Sequence, residues 1–163
     1  MYKKILLILA VILVITAGLF AKKLARDPHT ANNPTPCSFP VRITVGNASV
    51  DALYGATQAE REQGLSRKTS GESMLFDFRN ESNKRPTFWM KDMNYNLDAI
   101  WIDKEKIVQI DRDIPKPSGT SPTPTIFRPT MDIEFILEVP AGFAEKYSIK
   151  VGDNFSFKKN ICN

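Results

Sequence analysis

Histidine is almost missing from this chain, and cysteine is scarce. The one histidine among 163 residues, His29, lies in a stretch of proline and asparagine that cannot build a core. Neither a Ser/His/Asp triad nor a histidine-based metal centre can therefore be assembled in a folded domain. The two cysteines, Cys37 and Cys162, have no CxxC or other ligand spacing near them, so no metal site is expected. The eight glycines are scattered singly, which excludes a glycine-rich phosphate loop, and no cofactor is implied. Basic residues form no block. Of the 22 Lys and Arg, Lys3, Lys4, Lys22, Lys23 and Arg26 flank one hydrophobic run, leaving 17 against 18 acidic residues elsewhere. The remainder carries a net charge of −1 and lacks the electrostatic footprint that nucleic acid requires.

What the chain does have is an unbroken apolar run from Ile5 to Ala21. Seventeen residues of helix reach about 25 Å, enough for a hydrocarbon core once the flanking lysines snorkel to the headgroups. The run has no polar face, unlike an ordinary core helix. Residues 1–26 are read as a single-pass membrane anchor, with a cleaved signal peptide as the rival and a secreted domain as its consequence. Positive charges on the two sides of the run do not decide its orientation, but the cysteines do. They bracket the folded region, and in an oxidising compartment they close a loop of about 126 residues, a constraint of roughly 5 kcal/mol in the chain-entropy account. The domain is therefore expected to face outside the cell membrane, extracellular or periplasmic, with the Cys37–Cys162 pair as a staple.

Residues 27–40 read as a Pro/Asn-rich spacer, 41–159 as one globular domain and 160–163 as a tail. Val41 to Val45 alternates strictly, Gly46-Asn47 makes a turn and Ala48 to Tyr54 returns, which predicts a β-hairpin. Thr57-Gln-Ala-Glu60 is a capping box for a short helix that Gly64 ends. Strands are expected over 74–78, 87–91, 97–103, 107–111, 133–139 and 155–158, with a second short helix over 143–147. The fold class is α+β: a small domain with a curled, mostly antiparallel, barrel-like sheet and one or two short helices. Residues 112–130, holding Pro115, Pro117, Pro122, Pro124 and Pro129, form a loop too long for an ordinary connection and are read either as a mobile surface excursion or as a lid over a site.

Six blocks occur in order: Arg61-x-x-Gly64-Leu65-x-Arg67, Met74-Leu75-Phe76-x-Phe78, Phe88-Trp89-Met90-Lys91-x-Met93, Leu97-Asp98 with Trp101-Ile102-Asp103, Leu137-Glu138-Val139-x-Ala141-Gly142, and Val151-Gly152-Asp153. Together they resemble the family called domain of unknown function 192, over about Val41 to Lys158. The resemblance implies a small α+β domain behind an N-terminal signal or anchor, and it implies no activity. Ser73 and Met93 depart from it, standing where glycine and threonine are usual.

Strand parity nominates a polar site. Asp98 shares a face with Ile100 and Ile102, so a carboxylate points into a core and needs a cation or several donors. Arg61, Arg67 and Lys91 are the natural partners, and Trp89 shares a face with Lys91. Two readings follow. The cluster is either a structural ion pair fastening the helix to the sheet, or a pocket for a small anion or carbohydrate with Trp89 as a stacking face. The leading function is a binding module for a small ligand or envelope component. Catalysis ranks below binding, since the one acid/base pair left open is Asp98 with Glu138, as in a hydrolase. A third class is a structural partner in an envelope assembly, which an exposed apolar patch around Trp89, Trp101 and Phe127 would favour. Oligomeric state is not encoded in any feature of the chain.

Overall fold

A two-residue turn at Gly46-Asn47 joins the first two strands, β1 (Val41–Val45) and β2 (Ala48–Gly55), with Val45 opposite Ala48. Gly46 has φ +56°, the left-handed conformation that tight hairpins demand. In the computed structural model, residues 40–69, 71–118 and 124–160 are described; the anchor run, both cysteines and most of the spacer lie outside them. Among the described residues no helix is long and apolar enough to cross a membrane, and no group of three His, Cys, Asp or Glu is placed to hold a metal ion.

After β2 the chain forms α1 (Gln58–Gln63), entered through the predicted capping box: Thr57 Oγ1 accepts from the Glu60 amide, and Glu60 Oε2 accepts from the Thr57 amide at 2.9 Å. The helix makes the crossover that lets β3 (Met74–Asp77) pair parallel to β2. The remaining elements are β4 (Phe88–Trp89), β5 (Leu97–Asp103), β6 (Lys106–Ile114), β7 (Ile126–Phe127), β8 (Phe135–Pro140), α2 (Phe143–Lys146) and β9 (Phe155–Lys159). Seven strands form one sheet in the order β6-β5-β8-β3-β2-β1-β9, antiparallel except at β2–β3, and β4 pairs with β7 in a separate ribbon. The large sheet curls into a half-barrel whose edge strands approach each other. An isolated bridge joins Lys106 to Asn154, and the Phe155 amide donates to the Glu105 carbonyl at 2.8 Å.

The curl creates two apolar layers. One face of the sheet packs Val41, Ile43, Val45, Leu75, Ile100, Ile102, Leu137, Val139 and Phe155 into the concave core. The opposite face carries Met74, Phe76, Ala99, Trp101 and Ile136, covered by Leu65, Met90, Met93 and the β4–β7 ribbon. Strands β3 and β5 are thus covered on both faces, which is why they read as near-continuous apolar runs, whereas β1 keeps its alternation with one face in water. The residues that depart from the family resemblance, Ser73 and Met93, are both buried.

Candidate functional site

The ribbon determines which aromatic rings are sealed and which is presented. Phe88 lies opposite Phe127 and its ring is 5.2 Å from Phe76, 5.8 Å from Trp101 and 5.6 Å from Phe127, so β4 is pinned to the second core. Successive side chains on a strand point opposite ways, so fixing Phe88 and Met90 inward turns Trp89 and Lys91 outward. Trp89 is 56 % exposed, and the Lys91 ammonium sits 5.0 Å from its ring centre. Two hollows meet at this indole. One, of about 250 Å³, lies between α1 and the ribbon and is lined by Gln58, Arg61, Glu62, Phe78, Thr87 and Phe88. The other, of about 210 Å³, is lined by Glu62, Gln63, Ser66, Arg67, Lys91 and Asp92.

Arg61 is a clamp. Its side chain is 12 % exposed; one terminal nitrogen donates to the Ala56 carbonyl at 2.6 Å and the Asp77 carbonyl at 3.1 Å, and the other pairs with the Glu81 carboxylate. The guanidinium also lies 5.1 Å from the Phe78 ring centre, so it ties α1 to the ends of β2 and β3 while flooring the larger hollow. Arg67 pairs with Asp92 at 3.2 Å on the rim, with 82 % of its side chain in water.

Asp98 does not join these cations. It is buried, and its two carboxylate oxygens accept from the backbone amides of Asp113 and Ala144, each at 2.9 Å. The expected need for a charged partner is met by backbone donors, one from β6 and one from the first turn of α2. Glu138 is buried on the other side of the sheet. Asp98 pairs with Val139 across β5–β8 while Glu138 lies opposite Ala99 and Met74, so the two carboxyl groups point to opposite faces. The acid/base pair proposed for a hydrolase is therefore not assembled, because one substrate cannot touch both faces of the sheet between central strands β5 and β8. Glu138 has neither charge nor hydrogen bond to offset its burial, which pushes its pKa up to about 8. Tyr95 is raised by its own burial and then by Glu72 and Glu138, and Glu72 Oε2 is buried without a partner.

The apolar patch expected around Trp89, Trp101 and Phe127 is divided by the same geometry. Trp101 is fully buried with its indole N–H donating to Asp111 at 2.8 Å, and Phe127 is 9 % exposed. The exposed neighbour of Trp89 is instead Ile126, directly opposite it on β7 and 61 % exposed. The long loop is also shorter than its sequence suggests: β6 runs to Ile114 and β7 begins at Ile126. None of its described residues between these strands lines either hollow.

The family profile described as "Uncharacterized ACR", that of domain of unknown function 192, matches residues 41–157. The chain belongs to this family. A comparison with curated proteins returned no match. Among solved structures, the domain is similar to a protein of unknown function from Novosphingobium aromaticivorans, with 25 % identity, a TM-score of 0.61, and coverage of 81 % of this chain and 98 % of that one. It is also similar to a protein from Sinorhizobium meliloti described as a candidate transcription regulator, with 25 % identity, a TM-score of 0.59, and coverage of 73 % and 92 %.

In this member of the domain of unknown function 192 family, the structure brings Arg61, Arg67, Trp89 and Lys91 around adjoining hollows and leaves Asp98 and Glu138 out of them. Sequence reasoning missed Gln58 and Glu62, which stand one helical turn apart and are joined by a 2.7 Å hydrogen bond. Their i, i+4 spacing on the short helix carrying Arg61 was the available signal. It also missed the network in which Asp77 accepts from Tyr54 at 2.6 Å and Arg79 at 2.7 Å. Burial alone would raise the Asp77 pKa, but these donors outweigh it and hold the carboxyl at about 2.

Proposed function

We propose that the domain is a small-ligand binding module, held outside the cell membrane by its N-terminal run, that receives its ligand against the exposed face of Trp89. The observation that carries this reading is the posture of that indole. Half in water, it stands on a two-stranded ribbon whose alternate residues are locked into an aromatic core, between a larger, mostly apolar hollow and a smaller, mostly polar one. A large apolar ring left exposed costs free energy unless something covers it, and a rigid support lowers the ordering cost of binding.

The same ribbon supports the envelope-assembly reading, since Trp89 and Ile126 form an exposed apolar pair; there the partner is a protein and not a small molecule. Placement outside the membrane draws support from the chain ends. The Asn160 amide donates to the Pro40 carbonyl at 2.8 Å, so the described residues nearest Cys37 and Cys162 are neighbours, as a disulfide between the two cysteines requires.

Tryptophan fluorescence tests the binding reading, because Trp101 is buried and Trp89 is not. Subtracting the spectrum of Trp89→Phe isolates the exposed indole. Hexoses, disaccharides, dicarboxylates and inorganic phosphate form the panel; at least one should shift this difference emission to the blue, and none should do so in a folded Trp89→Ala protein. A panel without effect refutes the small-ligand reading. A Trp89-dependent complex with an envelope protein in its place would establish the assembly reading.

A further inference from the structure

We infer that the ligand of the Trp89 site is an uncharged linear saccharide, an inference that rests on reading the two hollows as a binding site. The charges around the indole decide against an anion. The Arg61 guanidinium is already matched by Glu81 and two carbonyls, and Arg67 by Asp92. That leaves the Lys91 ammonium, which has no ion pair among the described residues, and the Glu62 carboxylate, which lines both hollows. The two cancel. An anion attracted by Lys91 meets Glu62 in the same space, so the site offers no positive excess to hold it.

A saccharide uses what is present. The C–H face of a pyranose ring is apolar and flat enough to cover an indole, while its hydroxyls both donate and accept. The Glu62 carboxylate accepts from hydroxyls, Lys91 donates to them, and the Gln58 carboxamide and Thr87 hydroxyl do both. The Lys91 ammonium stands over one face of the indole, so the sugar ring stacks on the opposite face while these groups, lining the same two hollows, meet its hydroxyls. The size of the hollows favours a linear chain. Each hollow is smaller than the roughly 300 Å³ at the lower end of pockets that enclose a drug-sized ligand. The two meet at Trp89 and Glu62, which suits consecutive rings of a chain lying across the indole.

The indole N–H resonances of the full chain in detergent micelles read this out. Trp89 is the reporter, and Trp101, hydrogen-bonded to Asp111 in the core, is the internal reference that each variant remains folded. The probes are cellotetraose, maltotetraose and chitotetraose as neutral chains, with tetragalacturonate and inorganic phosphate as anions. At least one neutral chain should move the Trp89 resonance saturably, with an affinity unchanged within about two-fold between low salt and about 0.5 M salt. Lys91→Met and Glu62→Gln should each weaken that affinity about ten-fold, the size of one lost hydrogen bond, and Trp89→Ala should abolish it. If tetragalacturonate or phosphate moves Trp89 and the neutral chains do not, the ligand class is wrong while the site stands. If no probe moves Trp89, both this inference and the binding reading beneath it are overturned.

Discussion

Replacing Glu138 with glutamine keeps the shape of the side chain in the second core and removes its ability to ionise. In the folded protein burial holds this carboxyl's pKa at about 8, against an ordinary value of 4.5. Between those values the native chain retains a proton that the unfolded chain releases. The native state is therefore favoured in full below pH 4.5 and loses stability steadily as pH rises toward 8, where the loss levels off. Each pH unit in that window corresponds to about 1.4 kcal/mol, so at pH 7 the wild type has given up about 3 kcal/mol. The carboxamide carries no such penalty, and a neutral carboxyl and a carboxamide are comparable as buried polar groups. Glu138→Gln should therefore match the wild type near pH 4.5 and exceed it by about 3 kcal/mol at pH 7, raising Tm by about 10 °C there. Urea unfolding of both proteins, followed by circular dichroism from pH 4.5 to 8.5, gives the difference directly and cancels every other titrating group. Parallel curves, with a constant gap or none, would refute the claim that Glu138 is buried and unpaired.

Two adjacent residues of the ribbon should behave oppositely: Phe88→Ala should cost about 3 kcal/mol of stability because four aromatic rings lose a partner, whereas Trp89→Ala should change stability by less than about 1 kcal/mol and remove binding. Thermal melts check the pair, and equal destabilisation by both would contradict the inward–outward assignment. Asp98→Asn should lower stability by about 1–3 kcal/mol, since a carboxamide retains a single acceptor oxygen for two backbone amides, and should leave saccharide binding intact. Binding lost from a variant of unchanged melting temperature would return Asp98 to the site. Mass spectrometry under non-reducing conditions should find Cys37 joined to Cys162, and changing both to serine should cost about 5 kcal/mol; two alkylatable thiols in protein taken from cells would contradict this.

Much of the local structure was legible in residue order because it depends on near neighbours. The hairpin at Gly46-Asn47, the capping box from Thr57 to Glu60 and strand β5 from Leu97 to Asp103 all follow from alternation, a short apolar run, turn chemistry or caps within ten residues. Strand β7 was not legible. Ile126 and Phe127 sit among prolines, and what makes them a strand is the partner β4, nearly forty residues earlier, with Phe127 drawn against Phe88 and Trp101. The site was half legible for a related reason: Trp89 and Lys91 share a face by parity alone, while the companions of Asp98 depend on where α2 and β6 come to rest.

By itself, the order of residues determined that this is an α+β domain of largely antiparallel strands and that an indole and an ammonium stand side by side. Tertiary structure alone decided that Arg61 is matched by Glu81, that Asp98 and Glu138 face away from each other, and that Trp101 is interior while Trp89 meets water. The physical reason is range. Dihedral preference and side-chain alternation act over a few residues, whereas burial and charge pairing depend on which distant segments the curled sheet brings together.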